Sequence, residues 1–349
     1  MTSLDERREY LFRLGPALEA ALARRLRDPR DLALALLLAN IGLTTLPGAI
    51  LVLLTRSHII GALYCALNSA LYLEPFLLAL HFGTHRPVFR AAPANLLAPV
   101  LLAPLFGLPP GLYRAHHVHM HHAEENAAAR DLTSTEAFQR DSPWHFALYW
   151  LRFTALTWLE LPWYLARTRG ARAGAACAAK IAAAAAGYAA ATWACPVGSL
   201  WVLWVPAGIA SVALAFGNWC QHIFVRPGHD GAPVDITLSI TDARSNLRNF
   251  NDGYHAEHHA RPGAHWSELP ALFATAPPEE RIVFRDTSFF DVGLCVMRGD
   301  YATLARKFVP SAARPAVTQR HIEALLRARL RPCARKRHIA AAVDFQKTL

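Results

Sequence analysis

The sequence predicts an all-α integral membrane protein, with four transmembrane helices in two hairpins and a cytoplasmic, histidine-rich cap. Three observations lead there. Hydrophobic residues make up 53% of the 349 and charged residues 18%, which leaves too little polar surface to cover a soluble protein of this length. Four apolar runs are long enough to cross a bilayer as helices. Histidines gather at the ends of those runs, and five of the 17 fall between His116 and His122.

The net charge of +10 is carried mostly by arginine. In a membrane chain such an excess marks cytoplasmic loops and anionic headgroups. No aromatic–basic module accompanies it, so nucleic acid is not the expected partner. The six cysteines are scattered without a C-x-x-C pair, and neither a disulfide framework nor a zinc ribbon is expected. The opening MTSLDERREYLFRLG has no cleavable apolar core, so no signal peptide is expected. Three regions follow: a basic amphipathic segment over 1–30, a membrane domain over 31–270, and a cytoplasmic C-terminal cap with a basic tail over 271–349.

Leu32 to Leu54 is the first span; its 23 uncharged residues reach about 35 Å as a helix. A link of Thr55-Arg-Ser-His58 leads into the second span, Ile59 to Leu80. That span holds Glu74 beside Pro75, and a carboxylate in a membrane faces protein rather than lipid. An interhelical hydrogen bond is its expected role. His81 and His85 follow at i and i+4, on one face of a helix leaving the bilayer. Asn95 to Tyr113 is apolar but broken by Pro99, Pro104, Pro109 and Pro110, so it reads as a buried or re-entrant segment that does not cross.

The densest cluster is Arg114-Ala-His-His-Val-His-Met-His-His-Ala-Glu-Glu-Asn126. On a helix His117 and His121 share a face, and His122 lies about 100° round from His121. Glu124, Glu125, Asn126 and Asp131 either orient imidazole N–H groups or form a solvated loop. Trp144 to Tyr164 is apolar enough to span, but it is rich in Trp and Tyr and holds Arg152 and Glu160. Were it to cross, Arg167, Arg169 and Arg172 would fall outside, against the positive-inside rule. It is therefore expected to lie in the interface. Ala173 to Cys195 and Val197 to Gly217 are the third and fourth spans, with Lys180 snorkelling near the basic end. Both termini and all clustered histidines are then cytoplasmic. His222 follows the fourth span, and His255, His258 and His259 share a helical face at i, i+3 and i+4. The tail from His321 to His338 reads as a basic surface helix.

The clustered histidines are His81, His85, His117, His121, His122, His222, His255, His258 and His259. One mononuclear site needs about three or four protein ligands, so nine neutral donors point to two metals, and an imidazole-rich pair suits iron and oxygen chemistry. His116 and His119 are alternative ligands, since His119 pairs with His122 at i and i+3. His58, His145, His229, His265, His321 and His338 read as structural or surface residues, with His265 the nearest to a cluster.

The pattern resembles the membrane fatty acid desaturase superfamily over roughly residues 31 to 270. Its three histidine boxes correspond here to His81-x3-His85, His117-x3-His121-His122 and His255-x2-His258-His259. Asn218-x3-His222 resembles the family's extra histidine and its water-holding asparagine. Asn218, Glu125 and Asp252 are the candidates to hold a ligand imidazole or a metal-bound water. The resemblance implies a catalytic cap with two non-haem irons that activates O2 and takes hydrogen from an unactivated C–H bond of an acyl chain. The first box has three intervening residues, a spacing shared with alkane hydroxylases and carotenoid-modifying members.

The expected function is therefore an oxygen-dependent desaturase of a fatty acid or acyl lipid. A hydroxylase or ketolase acting on a fatty acid, alkane or carotenoid is the alternative. A metal-binding or metal-transporting membrane protein is a third reading, although a transporter places its ligands within the spans. No fused haem, flavin or Fe–S motif is present, so a separate ferredoxin, cytochrome or flavoprotein reductase is the expected electron donor.

Overall fold

The computed structural model describes residues 12–128, 130–227, 233–275, 281–311 and 317–333. Arg7, Arg8, His229, Asp230 and His338 lie outside the described residues. Two compact units are distinguished. The first comprises Met1–Val118, Leu165–Val212 and Leu247–Phe250; the second comprises His119–Tyr164, Ala213–Asn246 and Asn251–Leu349.

Four helices among the described residues are long and apolar enough to cross a membrane: Pro29–Thr55, His58–His85, Ala171–Ala194 and Pro196–Gln221. They coincide with the four segments expected from the sequence. The first starts where the Asp28 carboxylate accepts from the Arg30 backbone N–H at 3.0 Å, an N-cap. It ends at Arg56, whose left-handed φ of 51° breaks the helical ladder. Ser57 then caps the second helix through the Ile60 N–H, so two residues suffice to separate the helices. Polar side chains tie the helices where apolar surface alone gives no preference. Thr45 donates to Asn68 Oδ1 at 2.7 Å, and Asn68 donates to the Leu105 carbonyl at 3.4 Å.

The second spanning helix is not uniform. His58–Asn68 is α-helical, Ser69–Leu73 winds into a π turn, and Glu74–His85 resumes the α register. The segment before the second histidine cluster also breaks up as expected. It forms short turns over Ala92–Leu96, Leu97–Leu102 and Ala103–Phe106 and ends at Gly107. There φ is 78°, and a Cβ would lie 2.4 Å from the Ala207 backbone. Only glycine permits both the conformation and that approach.

The second unit is built on an apolar core of Tyr149, Trp219, Ile223, Phe224, Phe284 and Val292 with their neighbours. Two short parallel strands, Ser239–Thr241 and Val283–Arg285, cross it. Helices Phe289–Arg298, Tyr301–Lys307 and Gln319–Ala328 are capped by Ser288, Asp300 and Thr318. Arg140 is fully buried here. Its guanidinium donates to the carbonyls of Thr135, Ile223, Arg329 and Arg331 at 2.7–2.9 Å, drawing the end of the described chain onto the segment that follows His222.

The Trp- and Tyr-rich segment lies in a continuous helix, Pro143–Arg169, which is not among the four candidate spans. Trp144, Leu148, Leu151, Trp158, Leu159 and Trp163 are exposed along it at helical spacing. Tyr149 and Tyr164 are buried. Arg152 pairs with Glu160 at 2.9 Å and donates to the Leu132 carbonyl at 2.7 Å.

Candidate metal centre

In the first unit, the helix Glu74–His85 carries His81 and His85 one turn apart. His117 joins them. Its Nε2 is 3.0 Å from His85 Nε2, and its ring centroid is 4.3 Å from that of His81. One ligand-capable atom from each of the three lies within 4.8 Å of the others. With their Nε2 atoms this close, His85 and His117 could face one ion together. Tyr113 stacks on His117 at 5.3 Å, and Arg114 donates to the Thr84 carbonyl; both contacts fix the turn that bears His117.

The chain from His117 to His121 forms a π turn, a distortion of helix geometry frequent at functional sites. In the second unit His121, His222, His255 and His259 bring one ligand-capable atom each to within 4.8 Å of one another. Beside them His122 and His258 face each other with their Nε2 atoms 3.0 Å apart, and the His122 ring stacks on His259 at 4.4 Å. All six clustered histidines of this unit therefore meet.

Hydrogen bonds fix which nitrogen each ring offers. His121 Nδ1 is 2.8 Å from Asp131 Oδ2. Asp131 is itself held by the Thr133 N–H and hydroxyl at 2.8 and 2.7 Å. His222 Nδ1 is 2.8 Å from the Ile236 carbonyl, and a carbonyl accepts only from N–H. A ring that donates through Nδ1 presents Nε2 as its lone pair. His255 Nδ1 lies 3.5 Å from Asp252 Oδ1, and Gln221 donates to the other Asp252 oxygen at 2.8 Å.

The remaining nitrogens test whether a metal fits. Among the described residues, His222 Nε2 and both ring nitrogens of His259 are buried without a hydrogen-bond partner. A buried polar atom left this way is costly unless a ligand satisfies it. Burial, and then the nearby His121 and His255 rings, hold His222 well below the usual imidazole range. Burial and four neighbouring imidazoles do the same for His259. These rings are neutral at ordinary pH, the form that binds metal. The donor set fits a metal ion of the kind that accepts imidazole.

The other candidates fall as follows. His116 and His119 are in neither metal-capable group. Glu125 does not take the expected place: it is exposed at a left-handed φ of 48°, because the short helix His122–Glu124 ends there. Among the described residues it makes no hydrogen bond or ion pair to a clustered histidine. Glu124 instead accepts from Tyr164 Oη at 2.7 Å, and Asn126 Oδ1 accepts from the Thr135 N–H at 2.8 Å. Of the four acidic or amide residues after the cluster, Asp131 is the one that contacts a clustered histidine. Asn218 gives its amide N–H groups to the Thr133 carbonyl and the Tyr149 hydroxyl, both at 2.9 Å, so it braces the loop that carries Asp131.

His265 Nδ1 caps the next turn at Ser267 N, while His145 and His58 accept from Gln139 N and Trp201 Nε1. The Ile236 carbonyl left no sequence signal, since any residue supplies one. Glu257, between His255 and His258, points away to Ser239 Oγ at 2.9 Å and to Arg281. Burial raises the affinity of its carboxylate for a proton, and Arg281 opposes this.

The sequence model of the fatty acid desaturase family matches residues 57–287. No curated protein and no solved structure matches the chain.

Proposed function

The chain belongs to the fatty acid desaturase family, and from that premise we propose that it is an oxygen-dependent, di-iron acyl-lipid or fatty acid desaturase. The observation that carries this reading is the pair His222 and His259, buried and held neutral among the clustered histidines, with His222 Nε2 and both His259 nitrogens lacking a hydrogen-bond partner among the described residues. His81, His85 and His117 in the first unit, and His121, His122, His222, His255, His258 and His259 in the second, are the proposed ligands. Nine imidazoles suffice for two irons.

Bound iron would supply O2 activation and hydrogen abstraction from an unactivated C–H bond. The chain's own residues prepare for that. Asp131 and the Ile236 carbonyl hold the Nδ1 protons of His121 and His222. Asp252 lies beside His255 and is fixed by Gln221. Burial of His222 and His259 keeps water and protons from the rings. A double bond yields fewer electrons than the reduction of O2 to water consumes, so a separate ferredoxin, cytochrome or flavoprotein donor completes the balance.

We place the four candidate spans in the bilayer and helix Pro143–Arg169 in its interface, with its exposed Trp and Leu stripe in the headgroup boundary. The clustered histidines and both termini are then cytoplasmic. The three-residue spacing between His81 and His85 supports the second reading, a hydroxylase or ketolase with the same metal centre.

Two assays test the proposal. Elemental analysis of detergent-purified protein is expected to give about two irons per chain, and mass spectrometry of lipids from expressing cells is expected to show acyl chains lighter by two hydrogens. Zinc alone would overturn the iron reading, and products heavier by one oxygen would move the assignment to the hydroxylase.

Asp131→Asn keeps the side-chain shape but removes the charge facing His121. It is expected to weaken metal affinity about 10–100-fold, read by competition with a chelator. Donor-dependent turnover is expected to slow as salt rises, because the cationic surface steers an acidic donor. A rate flat between low and high salt would refute that docking mode.

A further inference from the structure

Three consecutive residues, Arg248, Asn249 and Phe250, reach along the second spanning helix within the first unit. Arg248 Nη2 lies 3.4 Å from the Ala70 carbonyl and 3.2 Å from the Leu71 carbonyl. Asn249 Nδ2 donates to Glu74 Oε1 at 2.8 Å. The Phe250 ring faces Phe82, centroid to centroid, at 6.4 Å. The contacts climb the helix toward His81.

The two carbonyls that Arg248 reaches are the ones that an N–H at residue 75 could have served. Proline has no N–H. In an α-turn residue 75 would have served the Leu71 carbonyl, four residues back; in a π-turn it would have served Ala70, five residues back. Ser69–Leu73 is the π turn, so the register changes at this place and the missing donor falls on one or other of the two carbonyls. They lie inside a candidate span, where a carbonyl without a donor is costly because no water reaches it. A single Nη2 amino group carries two hydrogens and serves both oxygens.

We propose that Arg248 is a positioning residue of the metal centre: it donates to the two carbonyls that the N–H missing at Pro75 could have served and so sets the direction of Glu74–His85, which carries His81 and His85. Asn249 holds Glu74 at the same kink. Phe250 has a left-handed φ of 53°, rare for a bulky residue. Such a conformation persists only when its surroundings over-determine it, and the Arg248, Asn249 and Phe82 contacts do so. The role in the metal centre rests on the proposed function through His81 and His85.

Pro75→Ala returns the missing N–H, so it should make Arg248 dispensable. The test uses full-length protein in detergent as wild type, Arg248→Met, Pro75→Ala and the double variant, with Arg248→Lys as the conservative change. Amide hydrogen exchange of the metal-free protein reads the kink. Arg248→Met is expected to speed exchange near residues 70–78 at least about tenfold, and the double variant to return toward wild type.

Cobalt(II) titration reads the centre. Arg248→Met is expected to weaken one of two metal equivalents about tenfold or more and leave the other unchanged, with recovery in the double variant and partial recovery in Arg248→Lys. Unchanged exchange in Arg248→Met, or no suppression by Pro75→Ala, would overturn the positioning role. Wild-type protein that binds no cobalt would instead overturn the proposed function, while the exchange data would still decide the role of Arg248 at the kink. If Arg248→Met fails to fold, Arg248→Lys with and without Pro75→Ala carries the same comparison.

Discussion

Joint replacement of His121 and His258 by alanine is expected to strip iron from the purified protein and to lower turnover by more than about 100-fold, beyond the range seen when only a supporting group is removed. His121 lies in the four-histidine group of the second unit, and its other nitrogen is committed to Asp131. His258 faces His122 at 3.0 Å, so its loss leaves one imidazole where two converge. Elemental analysis and lipid mass spectrometry measure the two outcomes. His321→Ala, at an exposed position on the helix Gln319–Ala328, is the control and should change neither. Iron retained at wild-type level in the double variant would remove these residues from the metal centre.

Arg140→Met is expected to cost about 3–5 kcal/mol of stability, among the largest effects of any single change outside the histidines. The guanidinium is fully buried and donates to six carbonyls, those of Thr135, Glu136, Phe138, Ile223, Arg329 and Arg331. Methionine fills much of the volume but removes the guanidinium donor from all six, and among the described residues only the Thr135, Glu136 and Arg329 carbonyls keep a backbone N–H, from Phe138, Cys333 and Val225. Lysine should rescue little, because an ammonium cannot spread its hydrogens across the planar fork that these acceptors surround. A chemical or thermal unfolding midpoint reads the effect. The Arg329 carbonyl also accepts from the Val225 N–H at 3.2 Å, three residues past His222. The variant should therefore also loosen metal binding, and a midpoint within error of wild type would show that the C-terminal segment is held by other contacts.

Much of the architecture is legible in the sequence because its signals are local. Uninterrupted apolar runs mark the four candidate spans, and prolines break the segment between Asn95 and Tyr113. The i, i+4 spacing of His81 and His85 puts both rings on one face by helix geometry alone, and the family match, over residues 57–287, spans the boxes read from the residues. Glu125 shows where local reading stops. It stands three residues from His122, near enough to suggest a partner, yet the helix ends before it and turns it to solvent. Asp131, further along, returns to His121 because Thr133 and Asn218 brace its loop. The choice of His117 over His119 in the metal-capable group likewise depends on a π turn, and nothing in the cluster's composition announces one.

The sequence by itself determined the four candidate spans, the largely helical class and the residue type of every candidate ligand, since hydropathy and periodicity act over a few turns of chain. Only the tertiary structure decided which nitrogen His121 and His222 offer, which carboxylate stands behind His121 and which side chain reaches the Ala70 and Leu71 carbonyls. Those pairings join groups such as Arg248 and Leu71, 177 residues apart. They form because a buried polar atom must find a partner wherever the packed chain brings one within reach, a condition that no short stretch of sequence records.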